Sequence, residues 1–189
     1  MFNFTIAMKN LSNHFIISMP HINEPLFNRS IIIICEDNKD GSMGVVLNKP
    51  MNISSISEIL QQTGLQKIQP KFNIYFGGPV QVDLGIILHE SNYQTEGTIN
   101  ISESISLTSN NKIISDIKNG KGPSLFRFSF GYAGWNKGQL EREIENGDWL
   151  IMPADSDFIF SIPDKLKWEQ AALQFGIDIN NLGGSAGLA

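Results

Sequence analysis

The stretch from Ser124 to Asp155, SLFRFSFGYAGWNKGQLEREIENGDWLIMPAD, limits the possible folds more than any other part of the chain. It carries six of the eighteen aromatic residues, and they fall in a pattern that reads as strand, turn, helix, turn and strand. From Leu125 to Tyr132, period-2 alternation puts Phe126, Phe128, Phe130 and Tyr132 on one face. Leu125, Arg127, Ser129 and Gly131 fall on the other, so the aromatic face is predicted to be core. Tyr132-Ala133-Gly134-Trp135 then reads as a turn, because Gly134 and the preceding Gly131 suit positive φ or close backbone approach. Asn136 has the chemistry of a helix N-cap, with Gln139 three residues on as in a capping box. Trp135 and Leu140 have the spacing of a hydrophobic staple, and Leu140 and Ile144 share a helix face. Glu141, Arg142, Glu143 and Glu145 are expected in solvent. Asn146-Gly147 stops the helix, and Trp149 to Met152 follows as a strand closed by Pro153.

The rest of the chain reads mainly as strands. Phe15 to Met19 is a predicted strand, and Pro20 to Asn28 is a loop. Arg29 to Glu36, with four isoleucines and a cysteine in a row, reads as a strand buried on both faces. Asp40-Gly41 signals a hairpin, and Met43 to Asn48 returns as its partner. A helix is expected over Ser55 to Gln62, with Ser55 and Glu58 as a capping box and Gly64 as the stop. Phe72 to Phe76 and Leu84 to His89 read as strands on either side of Gly77-Gly78-Pro79. Asn92 to Asn100 is a polar loop, and Ile101 to Leu107 alternates as a strand. Ser109 caps a short helix to Lys118. Phe158 to Ile162 reads as a short strand. Asp164 to Phe175 reads as a helix with Trp168, Ala172 and Phe175 on one stripe, stopped by Gly176. The tail from Gly183 is expected to be loose. Together these predict an α+β fold: a curved, mostly antiparallel mixed sheet flanked by helices. The 189 residues suit one domain over 1–189, or two intimately packed lobes.

Composition narrows the function classes. The net charge is −5, and no run of Lys and Arg forms the basic footprint that nucleic-acid binding needs. No pair of adjacent helices reads as a helix-turn-helix, so direct DNA binding is the least favoured regulatory mode. The single cysteine permits no intramolecular disulfide, which fits a reducing, cytoplasmic setting. The longest apolar run, Ile31 to Cys35, is far short of a membrane span, and the N-terminus, without a charged start before a long apolar core, is not expected to act as a signal peptide.

FGYAGWNKGQLEREIENGDWLIMPAD resembles the YqgE/AlgH family, whose motif is a leucine-glycine-tyrosine-alanine-glycine-tryptophan turn followed by a glycine-glutamine-leucine-glutamate helix. Here Phe130 replaces the leucine. The resemblance continues through Phe15 to Pro50 and Tyr75 to Glu90, three motifs in register. It implies a bacterial, cytosolic protein with a mixed sheet. The family is described as regulating transcription, with no activity tied to its motif residues.

Candidate chemistry is sparse. Cys35 is either a redox-sensitive or ligand-sensing thiol, at a place where the family often carries cysteine, or a small buried hydrophobe; its acidic neighbours Glu36 and Asp37 would raise its pKa. The family's histidine after the glutamate is Asp37 here. His14, His21 and His89 have no metal-ligand spacing, and no metal or cofactor is predicted. His89 matches a strand-end histidine of the family and is a candidate cleft residue. Glu36 to Gly41 lacks the bidentate glutamate of a calcium loop and reads as a turn. The G-x-S-x-G match at Gly183 to Gly187 has no strand-turn-helix context, and the family's terminal histidine is Leu188 here.

Gly77-Gly78-Pro79 either presents N–H groups to an anion or packs tightly against another backbone. The arginine that follows this motif in the family is Leu84 here. Tyr132 is a candidate aromatic contact for a ligand. The two glycine motifs, Gly77-Gly78-Pro79 and Gly131-Tyr132-Ala133-Gly134-Trp135, are expected to lie close together and border one cleft, with Gly131, Tyr132 and Gly134 among its residues. The favoured function is a non-enzymatic binding or regulatory module acting through a protein or small-molecule partner. The alternatives are an enzyme with a cleft assembled from Cys35, His89 and the glycine loops, and a direct DNA-binding regulator.

Overall fold

A computed structural model describes residues 10–52 and 72–177. The helix expected over Ser55 to Gln62, the chain start and the tail from Gly183 lie outside the described residues. Nine strands form one curved sheet: β1 (His14–Ser18), β2 (Ile31–Asn38), β3 (Gly41–Val46), β4 (Ile74–Phe76), β5 (Val80–Glu90), β6 (Ile99–Asn100), β7 (Ile105–Thr108), β8 (Phe126–Asn136) and β9 (Trp149–Pro153). Among the described residues, four helices flank it: α1 (Asn111–Lys118), α2 (Gln139–Glu145), α3 (Ser156–Ser161) and α4 (Asp164–Gln174). The strand order is β6-β7-β5-β8-β3-β2-β1-β9, antiparallel throughout, and β4 adds one parallel pairing to β8. The fold is therefore α+β with a mixed sheet, as the sequence implies.

Alternation along the strands sorts the core into an inner face and two outer patches. Phe15 and Ile17, Ile31, Ile33 and Cys35, Ile86 and Leu88, and Ile105 and Leu107 form the inner face, covered by Phe158, Ile159, Trp168, Ala171 and Ala172 of α3 and α4. Ile16, Ile32, Ile34 and Val46 point the other way and are covered by Leu140 of α2 with Trp135 and Trp149. On the outer side of β4, β5 and β8, Ile74, Ile87, Phe128 and Phe130 pack with Ile113 of α1. The isoleucine run is buried on both faces because helices cover both sides of β2.

The central strand is longer than its sequence implies. β8 continues through the expected turn to Asn136. Its first half pairs with β5 and β4, and its second half pairs with β3. Asn136 is therefore a strand residue opposite Gly41, not the N-cap. Helix α2 starts from Gly138 at φ +70, with no side-chain cap. Half of the expected box survives, because the Gln139 side chain accepts the Asn136 N–H at 3.1 Å.

Three other elements depart from expectation. Phe158 to Ile162 is helical because the Asp155 carboxylate accepts N–H groups from Asp157 and Phe158, a cap that outweighs an ambiguous apolar run. Residues 101–104 are a turn, not strand. The Ser102 hydroxyl takes the N–H groups of Ser104 and Ile105, and the pairing is carried by Ile99–Asn100 instead. In α4 the buried stripe is Lys167, Trp168, Ala171 and Ala172, and Phe175 lies past the helix end and is exposed. Smaller shifts are local. β2 starts at Ile31 because Arg29 is left-handed at φ +49, and α1 is capped by Asn110 rather than Ser109.

Candidate functional site

Gly131 sets the geometry around the central strand. At φ +72 it interrupts the pleat of β8. Upstream, Phe128 and Phe130 face the outer patch, whereas downstream Tyr132 packs toward the inner core and Ala133 and Trp135 face outward. One left-handed residue thus splits the predicted aromatic face and sends Tyr132 to the opposite side.

The two glycine motifs meet backbone to backbone. A Cβ on Gly77 would overlap the carbonyl of Gly131, and one on Gly78 would overlap the Tyr132 peptide. The Gly77 N–H donates to Phe130 O at 2.8 Å, and Gly77 O accepts from Val46 N at 2.8 Å. These are the contacts of tight chain packing. Gly77 and Gly78 are buried, and the Gly77 N–H and C=O both serve the sheet; Pro79 is exposed beside them.

A shallow cleft of about 390 Å³ opens where β2, β3 and β8 run side by side near the β2–β3 hairpin. The register sets Glu36 beside Met43 and Met43 beside Gly134, with Asn38, Gly41 and Asn136 in the next row. Tyr132, half-buried, and Val80, its partner on β5, form an apolar wall. Glu36 and Asp40 supply the charge, and among the described residues no Lys, Arg or His lines the cleft. Asp37 braces the hairpin from outside the cleft: its carboxylate accepts the Ser42 hydroxyl and the Leu11 N–H, each at 2.6 Å. Of the residues singled out in the sequence, Tyr132 and Gly134 line this cleft; Gly77, Gly78, Pro79 and Gly131 lie close by in the packed junction and are not part of its lining, so only one of the two glycine motifs borders it.

Cys35 and His89 lie elsewhere. Cys35 is in the inner core, where burial, followed by the charge of Glu36, pushes its thiol far above the usual range. His89 is fully buried on the outer side of β5, against the Tyr93 ring. Its Nδ1 lies 2.7 Å from Glu90 O, which can only accept, so Nδ1 carries the proton and Nε2 accepts from the Thr108 hydroxyl at 2.9 Å. Burial holds this imidazole below its ordinary pKa. The two side chains face opposite sides of the sheet with β8 and β3 between their strands. The structure does not bring them together.

Two polar assemblies escaped the sequence reading. The first is a charge cluster under α4. The buried Arg127 guanidinium donates to Asp164 at 2.5 Å, to Leu47 O at 2.7 Å and to Ile159 O at 3.3 Å, and lies 3.9 Å over the Tyr75 ring. Tyr75 donates to the same carboxylate at 3.0 Å. Lys167, fully buried, stands 3.6 Å from Asp164 and donates to Ile162 O. Burial, then repulsion from Arg127, lowers its pKa to about 8. The second is Glu143, whose Oε2 accepts from both Trp135 Nε1 and Trp149 Nε1 at 2.9 Å each. Arg127 and Glu143 each come from an unremarkable polar slot in a periodic pattern. Only the meeting of distant elements marks them out. Among the described residues, no group of His, Cys, Asp and Glu could hold a metal ion.

Comparison with known proteins places this geometry. A model of the AlgH-like family matches residues 15–180. A UPF0301 protein of Marinomonas sp. (strain MWYL1) is 39% identical over 176 residues, covering 92% of this chain and 93% of its own. The UPF0301 protein YqgE of Salmonella paratyphi B is 38% identical over 189 residues, covering 95% and 100%. The solution structure of AlgH from Pseudomonas aeruginosa superposes with a TM-score of 0.75 at 34% identity, covering 97% of this chain and 98% of that one. A crystal structure from Corynebacterium diphtheriae shares the fold, with a TM-score of 0.68 at 20% identity over 87% of this chain and 86% of its own. With a family match spanning the sheet and relatives aligned end to end, the chain belongs to the AlgH-like family of UPF0301 proteins.

Proposed function

We propose that this chain is a non-enzymatic regulatory module that binds a basic segment of a partner protein in the cleft between the β2–β3 hairpin and β8. The observation that carries this reading is the lining of the cleft. A half-exposed Tyr132 and an exposed Val80 stand opposite Glu36 and Asp40, with no cation among the described lining residues. A lysine or arginine side chain has the matching shape: an apolar stem for the Tyr132 wall and a cationic end for the carboxylates. Val82, 49% exposed on the adjoining part of β5, extends the apolar surface. The same acidic lining, on a chain of net charge −5, favours a protein partner over a phosphodiester backbone. The relatives are bacterial, and no helix among the described residues is long and apolar enough to cross a membrane. We place the interaction in the bacterial cytoplasm.

The test is amide NMR shift mapping with short lysine- and arginine-bearing peptides, alongside a duplex DNA control. Shifts gathered on Gly41, Ser42, Met43, Tyr132 and Gly134, and weakened by salt, are expected. Shifts scattered over the sheet, or salt-sensitive binding of DNA in place of the peptides, would overturn the proposal.

A further inference from the structure

The loop between β1 and β2 carries a second cavity, well removed in chemistry from the acidic cleft. It is an open pocket of about 700 Å³ lined by Pro20, His21, Asn23, Asn28 and Arg29. Its size is that of a small-molecule pocket. Its charge is the reverse of the first cleft. Arg29 lines it, no carboxylate does among the described residues, and His21 is held by Asp148 at 3.0 Å. Lys49 stands behind the same loop, its ammonium 2.6 Å from Asn28 O. Among the described residues neither Arg29 nor Lys49 has a carboxylate partner within salt-bridge distance, in a chain whose acids outnumber its Lys and Arg by 19 to 14. Burial also depresses the Lys49 ammonium below the ordinary lysine pKa.

The backbone is held so as to place Arg29. Its φ of +49 is in the left-handed region, unusual for a residue with a long side chain. Asn48 clamps it from both sides: the Asn48 carboxamide donates to Arg29 O at 2.9 Å and accepts from Ile31 N at 3.0 Å. Ser30 N donates to the Ser18 hydroxyl at 2.8 Å, and Ser18 N donates to Ser30 O at 3.0 Å. The guanidinium carbon lies 5.2 Å over the Trp168 ring, and Trp168 is itself fixed by a 2.8 Å bond from its indole N–H to Ser18 O. A guanidinium held over an indole in this way still has N–H groups to offer an oxyanion. Asn23, whose amide makes no hydrogen bond among the described residues, adds a neutral donor at the wall.

From this arrangement we infer that the β1–β2 loop cavity is a binding site for a small oxyanion-bearing molecule, a phosphate ester or a carboxylate, with Arg29 as its fork and Lys49 as supporting charge. The site is independent of the acidic cleft, so the two proposals stand or fall separately.

The experiment titrates the intact chain with inorganic phosphate and, in a parallel arm, with succinate, at constant ionic strength held with chloride. Binding is followed by the indole N–H resonance of Trp168 and the amides of Asn28 and Arg29. A saturable shift with either anion is expected, and whichever arm gives it identifies the oxyanion class. Arg29→Gly removes the fork while giving the left-handed position the residue that best tolerates it, so the fold is retained. That variant is expected to lose at least about tenfold in affinity, the scale of a charge-assisted bidentate pair, with its amide spectrum unchanged outside the loop. Arg29→Lys is expected to recover only part of the loss. No saturable shift in either arm, or equal affinity in a folded Arg29→Gly protein, would overturn the assignment.

Discussion

Glu143 shows how much one side chain can join. It receives the indole N–H of Trp135 from β8 and that of Trp149 from β9, whose rings stand edge to face at 6.2 Å, and also the Gln139 amide at 2.9 Å. Glu143→Ala leaves two poorly solvated indole donors unpaired and should lower stability by about 2–4 kcal/mol in urea unfolding, whereas Glu143→Gln, which keeps an acceptor oxygen, should cost less than half of that. Trp135→Ala should cost on the order of 3 kcal/mol, because the ring is 93% buried among Leu140, Ala133 and Ile34. Cys35 should label with a thiol reagent far more slowly in the native protein than in denaturant, since the thiol is buried and kept protonated. That Trp135 and Leu140 share a core was legible from spacing, but the expected staple was not realised, because the helix starts from Gly138 and places Leu140 in its first turn. The place of Glu143 was not, because it needs β8 and β9, which flank α2 in sequence, to converge on one side of the sheet. Gly131 was marked as a special position, but its effect, turning Tyr132 to the opposite face, depends on a left-handed φ that sequence permits without requiring.

At the scale of elements, the strands around the isoleucine run and the hairpin at Asp40-Gly41 follow from period and turn chemistry, within two residues at each end. Three of the departures share a cause. At Asp155, Ser102 and Asn110 a short polar side chain captures nearby backbone N–H groups, and that local bonding decides between helix, turn and strand where hydrophobic pattern alone is ambiguous. Helix α4 adds a consequence. Its buried face carries Lys167 beside Asp164 and Arg127, an excess of positive charge against the inner core. The folded-state pKa of Lys167, about 8, lies below its ordinary 10.5, so the folded protein holds fewer protons than the unfolded chain between those values. Stability therefore rises as pH climbs from about 8 toward about 10.5 and falls back as the lysine protonates. The urea midpoint of the parent protein should rise across that window relative to Lys167→Met. Parallel pH profiles for the two proteins would remove this account of the cluster.

For the whole molecule, fold class was legible and strand order was not. Period and composition imply a mostly antiparallel sheet with helices between strands. Nothing local announces that β8 sits at the centre with β5 and β4 along one half and β3 along the other, or that β1 and β9 pair across nearly the whole described chain. The closeness of the two glycine motifs was anticipated, and it arises because β4 and β5 both join β8 at Gly131. This central junction leaves Tyr132 and Gly134 facing the acidic end of the hairpin, and it is the basis for reading the molecule as a binding module.

The most direct test of that reading is the calorimetric affinity of Tyr132→Ala for a lysine- or arginine-bearing peptide that binds the parent. Removing the aromatic wall should weaken binding by about tenfold or more, the effect of losing a central tyrosine. The melting temperature should fall by only a few degrees, since the ring is half-exposed. A folded Tyr132→Ala protein with parental affinity would contradict the account, and so would a variant that fails to fold, because Tyr132 would then serve the core rather than the cleft.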